Sequence, residues 1–358
     1  MPPITVPLHV PELAPGTWVQ GPPVSMGFAR GAVVLVEFWE ATCVNCLRTL
    51  PYLVEWHRRY ASRGLVVVGV HTPEFEMTRQ PDTVAAAVAA EGIPYPVLLD
   101  PVGETWRRFA NKGWPSRFLA DARGYLRYEH LGEGAYGETE RFLQKLLREA
   151  GDERPMPEPM APLRAEDRPG AVCLRPTAEL YLGYHRGRLA GTVPFHPHHE
   201  VDHPPQPLAE LPDGTFLARG RWLHEAEYLE CRQAGGELEV AFTAGGANLV
   251  VEPPSGGEGE LEVLLVDEGG ACPLPEALRG GDVGRSADSP GGGSVARARW
   301  DRPRMLALLD APDLAPRRLL LRFTTPGARA YAVSFVGRCV EPPPGPAAVS
   351  PPSGAETS

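Results

Sequence analysis

The first 150 residues alternate short apolar runs with segments of helical periodicity. The runs at 33–39 (VVLVEFW) and 65–70 (LVVVGV) are almost continuously apolar, which is typical of strands buried on both faces of a sheet. Alternation of such strands with amphipathic helices predicts an α/β fold. Strands are predicted at 33–39, 65–70, 95–99, 117–120 and 125–131, and helices at 46–63, 83–91, 104–111 and 138–150.

From residue 171 onward the helical periodicity disappears, and short strand-like runs separated by glycine-rich loops take its place. This punctuation predicts an all-β sandwich of the jelly-roll type. The predicted strands are 215–218, 227–231, 237–243, 247–251, 261–266, 295–300, 304–309 together with 319–324, and 330–336.

Two proline-rich stretches set the expected domain boundaries. Residues 151–170 contain five prolines, which predicts a semi-stiff linker between a domain at 1–150 and one at 171–340. Residues 341–358 lack aromatic side chains and any periodic pattern, and a disordered tail is expected there.

Composition limits the classes of partner. Hydrophobic residues make up 43% of the 358 residues, as in globular proteins, and the formal net charge is −10. Residues 151–358 carry 20 Lys and Arg against 29 Asp and Glu, so we expect no nucleic-acid partner. No apolar run approaches the ~18 residues of a membrane-spanning helix, so no membrane span is expected.

The motif Cys43-Val44-Asn45-Cys46 lies between a predicted buried strand and a predicted helix. Unpaired backbone N–H groups and the positive end of the helix dipole meet Cys43 at that position, and both favour its thiolate. We expect Cys43 to attack a disulfide and Cys46, one turn further along, to resolve the mixed disulfide.

Two other interpretations of the motif are a zinc half-site and a purely structural disulfide. Zinc usually needs a second, matched pair of ligands, whereas Cys173, Cys231, Cys272 and Cys339 are scattered and are expected to be bystanders. The four histidines within 196–203 could bind a transition metal, but the surrounding prolines favour a flexible surface loop. We therefore predict no metal site.

Residues 33–147 resemble the thioredoxin fold and, within it, the DipZ type. The resemblance rests on the strand–CxxC–helix order, on Pro51 within that helix, on the segment 69–75 (GVHTPEF), and on Trp114-Pro115 before a strand. The resemblance implies a cis peptide bond at Pro115. Weaker similarities at 178–184, 220–222, 247–249 and 328–331 extend it to the DipZ carbohydrate-binding-module-like domain, a jelly roll.

The resemblance also assigns roles to site residues. Glu37 occupies the place of the buried aspartate that takes a proton from the resolving cysteine, and burial should raise its pKa. The alternative is an outward-facing residue of an edge strand. Pro115 and Trp114 should shape the client groove, together with Val44 and Asn45 between the cysteines.

These observations predict a thiol–disulfide oxidoreductase that acts on protein thiols and disulfides with an unidentified redox partner. No cofactor beyond the Cys43–Cys46 disulfide is expected. A peroxidase is disfavoured because Glu40 stands where peroxiredoxins need Thr or Ser. The competing hypothesis is a recruitment protein that binds a partner through its β-sandwich and uses the thioredoxin fold as a scaffold.

The ligand of the β-sandwich would be a glycan or a protein. Trp222, Tyr181 and Tyr184 could form an aromatic platform for a sugar, although core packing is the favoured interpretation. The N-terminal residues lack the apolar segment of a signal peptide, and the extra cysteines lack obvious pairing, so a cytoplasmic location is expected. The alternative is an extracytoplasmic location, if the chain was trimmed from an exported precursor.

Overall fold

The computed structural model describes residues 8–27, 29–205, 210–285 and 295–340. The stretch 341–358, for which a disordered tail is predicted, lies outside this range. The described residues form an α/β domain followed by an all-β domain, which confirms the predicted fold class. The jelly-roll arrangement of the second domain stays a prediction.

The first domain is built on a mixed sheet whose strands, in spatial order, are β1-β4-β3-β2-β5-β6. Strand β2 is central, parallel to β3 and antiparallel to β5, and all seven of its residues are buried. The described strands are β1 (Thr17–Gln20), β2 (Val33–Trp39), β3 (Leu65–His71), β4 (Val97–Leu99), β5 (Ser116–Ala120) and β6 (Leu126–Leu131). The described helices are α1 (Val44–Tyr60), α2 (Pro81–Ala90), α3 (Glu104–Arg108) and α4 (Tyr136–Glu149), with 3-10 turns at Ala61–Arg63 and Glu76–Arg79.

Three elements differ from the prediction for local reasons. Strand β1 was not predicted, because it is only four residues long and half exposed at the sheet edge. Helix α1 begins at Val44 rather than at residue 46, since Cys43 is its N-cap. Helix α3 ends at Arg108, close to the left-handed backbone of Ala110 (φ 50°).

The second domain is dominated by one large sheet in the order β15-β16-β13-β17-β12-β10-β11-β18-β8, with β14 beside β13, β9 beside β10, and further pairing of β12 with β18. Strands β7 and β19 form a separate pair. The described strands are β7 (Val172–Leu174), β8 (Leu180–Tyr181), β9 (Glu200–His203), β10 (Thr215–His224), β11 (Leu229–Cys231), β12 (Gly236–Glu252), β13 (Gly259–Asp267), β14 (Gly270–Pro273), β15 (Gly284–Arg285), β16 (Ala296–Trp300), β17 (Arg304–Phe323), β18 (Arg329–Val336) and β19 (Arg338–Val340), with 3-10 turns at Ala165–Asp167 and Glu276–Leu278.

Strands β12 and β17 each span two segments that are predicted from the sequence as separate strands. Their mutual pairing includes Gly246 and Pro316, with register shifts at 244–246 and 247–248. Glycine inside β12 and proline inside β17 mark bulges as readily as strand ends, which explains why each strand is predicted as two.

One prediction about the cysteines is wrong. Cys173 and Cys339 are not isolated but form a disulfide, because β7 and β19 place them opposite each other. Their separation of 166 residues hides this pairing in the sequence. Cys173 and Cys339 therefore do not support a cytoplasmic location, and the compartment stays a prediction.

The residues predicted as a linker pack along the first domain. Asp152 accepts a hydrogen bond from Arg63 at 2.6 Å, and the backbone N–H of Met160 donates to Glu140 at 2.7 Å. Met160 also packs against the apolar core under α1 and α4. This segment therefore connects the domains while held against one of them.

The segment after β3 makes the apolar contact between the two domains. Phe75 is 1% exposed and packs with Val250 of β12 and Tyr331 of β18, its ring centre 5.3 Å from that of Tyr331. Glu74 beside it accepts hydrogen bonds from Tyr181 and Arg186 of the second domain. The two domains thus meet on the segment that leaves β3.

Candidate active site

The two cysteines of the CVNC motif differ in exposure. Cys43 is half-buried at the N-cap of α1, and its Sγ accepts a hydrogen bond from the backbone N–H of Cys46 at 3.3 Å. Cys46 is fully buried in the first turn, and burial, together with its contact with Cys43, raises the pKa of its thiol well above the usual value. Cys43 is therefore the more accessible of the two sulfurs, while the buried thiol of Cys46 loses its proton less readily.

Glu37 lies in the middle of β2 and is completely buried. Neither carboxylate oxygen has a hydrogen-bond partner among the described residues, and burial raises the pKa of this carboxyl well above its usual range. The alternative of an outward-facing residue on an edge strand is wrong, because β2 is central. The charge of Glu37 also contributes to the raised pKa of Cys46, so the two groups interact electrostatically.

Arg117 is the basic residue that lies beside Glu37 on the neighbouring strand, β5. The two are direct partners in the pairing of β2 with β5, and the positive charge of Arg117 lowers the pKa of Glu37 against the larger effect of burial. The guanidinium donates to the carbonyl of Gly134 at 2.6 Å and lies 4.9 Å from the ring centre of Tyr136. Arg117 is thereby held in place by contacts other than Glu37.

A second buried carboxyl, that of Glu40, organises the loop before Cys43. Its Oε2 accepts hydrogen bonds from both the backbone N–H and the hydroxyl of Thr42, each at 2.6 Å. Its Oε1 lies 4.0 Å from Nε2 of His71, which accepts the N–H of Ala41 at 3.1 Å. Burial raises the pKa of Glu40 to about 7 and lowers that of His71 to about 3.

Glu40 and His71 are not among the site residues predicted from the sequence. The sequence contains a signal for this contact. Glu40 is a charged residue directly after a buried strand, and His71 is a histidine at the end of the neighbouring strand. Carboxyl ends of adjacent parallel strands meet at one sheet edge, and such placement alone could have paired them.

Four residues are predicted to contact a client. Val44 and Asn45 lie in the first turn of α1, and Trp114 and Pro115 directly precede β5. The Trp114–Pro115 peptide bond is cis, as predicted. Trp114 is half-buried, its ring centre 4.5 Å from that of Trp106, whereas Pro115 is buried. Val44 and Asn45 are half-exposed. Their roles in client binding stay predictions.

A cavity of about 370 Å³ opens beside the motif, between the domains. Asn45 and Arg48 of the first domain line one part of it, and Cys173 and Cys339 of the second line another. The active site is therefore bordered by the second domain.

The second domain does not present the aromatic platform considered from the sequence. Trp222 is fully buried in its core, and Tyr181 is engaged at the domain interface, where it donates to Glu74 at 2.8 Å. In the histidine-rich segment, His203 pairs with His224 at 3.0 Å between their Nε2 atoms. Across the residues that the structure describes, no group of three or more His, Cys, Asp or Glu is arranged to hold a metal ion.

Both domains match known families. The AhpC/TSA family matches residues 11–129, and the thioredoxin-like C-terminal domain family matches residues 177–335. Protein DipZ of Mycobacterium tuberculosis is 33% identical over 265 residues, a match that covers 72% of this chain. This chain is a DipZ-like protein of the thioredoxin type.

The DipZ-like chain spans 36% of the length of the mycobacterial protein. Two further similarities concern the first domain. The thiol-disulfide oxidoreductase ResA of Bacillus thuringiensis is 25% identical over 130 residues, covering 36% of this chain and 72% of ResA. A thiol:disulfide interchange protein structure from Chlorobium tepidum is 27% identical with a TM-score of 0.35, covering 40% of this chain and 99% of that one. No helix in the described part of the DipZ-like chain combines the length and apolar character of a membrane crossing.

Proposed function

We propose that this DipZ-like chain is a thiol–disulfide oxidoreductase that acts on protein disulfides through Cys43 and Cys46. The observation that carries the proposal is a half-exposed thiol at a helix N-terminus, whose sulfur accepts the backbone N–H of Cys46, with the buried thiol of Cys46 behind it. The oxidoreductase name of ResA supports it and favours it over recruitment by the β domain alone.

The reaction consists of two thiol–disulfide exchanges. The thiolate of Cys43 attacks one sulfur of a client disulfide, which forms a mixed disulfide and releases one client thiolate. Cys46 then attacks the Sγ of Cys43, which forms the Cys43–Cys46 disulfide and releases the second client thiolate. The client gains two electrons and two protons, and the enzyme dithiol loses them. No cofactor beyond this pair takes part.

Glu37 is proposed as the base that accepts the proton of Cys46. A carboxyl with a raised pKa is a better match for a thiol proton than an ordinary carboxylate, since proton transfer is most efficient when the two pKa values are close. The field of Arg117 favours the carboxylate that must accept the proton. Val44, Asn45, Trp114 and Pro115 are proposed to contact the client around Cys43.

The test is the reduction of insulin disulfides with dithiothreitol as electron source. The wild-type chain should accelerate insulin reduction, and Cys43→Ser should abolish the acceleration because the attacking sulfur is gone. Cys272→Ser is the matched control, since Cys272 is a partly exposed free thiol on β14 outside the site. If Cys43→Ser retained the wild-type rate, the proposal would fail.

The role of Glu37 needs a readout of proton transfer. Glu37→Gln should shift the pH dependence of Cys46 deprotonation, measured as the rate at which the mixed disulfide resolves across pH 6 to 10 (about the range between a carboxyl of raised pKa and a thiol). An unchanged pH profile would remove Glu37 from the mechanism and leave the cysteines in place.

A further inference from the structure

The disulfide of the second domain lies where solvent can reach it. Cys173 is exposed on β7, and its neighbours Val172 and Leu174 are 56% and 51% exposed. Cys339 lies directly opposite on β19 and is half-buried. Exposed disulfides are the ones that thiolates attack readily, whereas structural disulfides are usually shielded.

One cavity connects this disulfide with the start of α1. Asn45, the residue between Val44 and the resolving cysteine, lines the same cavity of about 370 Å³ as Cys173 and Cys339. Arg48, one turn into α1, lines it as well and is close enough to Arg338 of β19 for that charge to affect its pKa. The start of α1 therefore faces the strand pair that carries the second disulfide.

The charges around the cavity are mixed. Arg48 pairs with Glu133 at 3.7 Å, and Arg164 contacts Glu133 at 3.1 Å and Asp167 at 2.7 Å. The guanidinium groups of Arg48 and Arg164, which line the cavity, are thus paired with carboxylates.

We propose that Cys173–Cys339 is a second redox centre, which exchanges electrons with the Cys43–Cys46 pair of the same chain across this cavity. The inference rests on the proposed thiol–disulfide activity and adds an acceptor within the chain. The second domain then takes part in electron transfer together with the first.

The exchange is balanced without any further reagent. The Cys43 thiolate attacks one sulfur of the Cys173–Cys339 bond, which forms an intramolecular mixed disulfide and frees the other sulfur as a thiolate. Cys46 attacks Cys43, which forms the Cys43–Cys46 disulfide and frees the second sulfur. Two electrons and two protons pass from the first pair to the second, and the reverse sequence returns them.

A merely structural role would be to fasten the first and last strands of the β domain together, across 166 residues of sequence. That role does not require Cys43. The rate at which Cys173–Cys339 is reduced therefore distinguishes a structural role from a relay. Only in a relay does this rate depend on the Cys43–Cys46 pair.

The experiment uses the full chain with both pairs oxidised. Dithiothreitol is added, samples are quenched with acid, free thiols are alkylated, and the peptides of Cys173 and Cys339 are followed by mass spectrometry. Cys43→Ser should slow their reduction by about tenfold or more, since it removes an attack from a neighbouring site of high effective concentration. Cys272→Ser should keep the wild-type rate, and that rate should not depend on protein concentration.

Insulin reduction by the same wild-type preparation keeps the two proposals separable. If the wild type reduces insulin but Cys173–Cys339 is reduced equally fast in wild type and Cys43→Ser, the relay is overturned. The oxidoreductase proposal then still stands. A wild-type rate that rises with protein concentration would overturn exchange within one chain. Absence of insulin reduction by the wild type would instead overturn the oxidoreductase proposal.

Discussion

The buried carboxyl of Glu40 makes the stability of the first domain depend on pH, and Glu40→Gln should remove that dependence. Glutamine keeps an oxygen that can accept from the backbone N–H and the hydroxyl of Thr42, and it resembles the protonated carboxyl in shape. It has no charged form. The substitution therefore changes ionisation with little change in packing.

The sign and size follow from the pKa of Glu40, which burial raises from 4.5 to about 7. In the unfolded chain the group loses its proton at the lower pH, so between these values the folded state holds more protons. Stability therefore falls as pH rises from 4.5 to about 7. At 1.36 kcal/mol for each pKa unit, the full effect is ~3 kcal/mol, most of it between about pH 5 and pH 8.

His71 acts in the opposite direction, which makes a difference measurement necessary. Its pKa falls from 6.5 to about 3 in the folded state, so the stability it provides is present above 6.5 and is lost as pH falls towards 3. The wild-type curve is the sum of both effects. The difference between Glu40→Gln and wild type isolates the contribution of Glu40.

The assay is urea denaturation of both proteins at pH 5 and pH 8. Relative to wild type, Glu40→Gln should gain ~2 to 3 kcal/mol of unfolding free energy at the higher pH. Glu153→Gln, at an exposed position of the segment after α4, is the control and should show no such gain. A difference between Glu40→Gln and wild type that is the same at both pH values would refute the reasoning.

Other positions give predictions that denaturation and thermal melting can check. Phe75→Ala should lower the free energy of unfolding by ~3 to 5 kcal/mol, because it empties the apolar contact between the domains, whereas Val102→Ala, at an exposed site, should have little effect. Gly69→Ala should cost ~1 to 3 kcal/mol, since a Cβ there would lie 3.2 Å from the indole nitrogen of Trp39. Tyr52→Phe should cost ~1 to 3 kcal/mol, because the hydroxyl donates to Asp167 at 2.8 Å. Unchanged stability in Phe75→Ala, Gly69→Ala or Tyr52→Phe would contradict the packing described.

The features that sequence predicts well are local ones. Strand β2 has the predicted bounds Val33–Trp39, because a continuous apolar run specifies a strand buried on both faces. The cap at Cys43 follows from the abrupt change from strand to helix pattern. Glu37 is buried as the resemblance implies, since a carboxyl in such a run has no route to solvent.

The features that sequence misses depend on contacts between distant residues. The Cys173–Cys339 bond forms only because the first and last strands of the β domain pair. The contact of Glu40 with His71 arises from the register of β2 beside β3. Strand β17 continues through Pro316, between the two predicted segments, because its pairing with β12 includes that residue. In each case tertiary packing decides what local preference leaves open.

The central claim is that Cys43 and Cys46 form a reversible dithiol–disulfide pair. In the most direct measurement, the full chain is equilibrated in glutathione buffers of graded potential, quenched with acid and alkylated at its free thiols. The mass of the peptide that contains both cysteines is then measured by mass spectrometry. We expect one two-electron transition in which both thiols disappear together, and we expect Cys46→Ser to lose it. Two cysteines that stay reduced, or that titrate independently with glutathione attached, would contradict it.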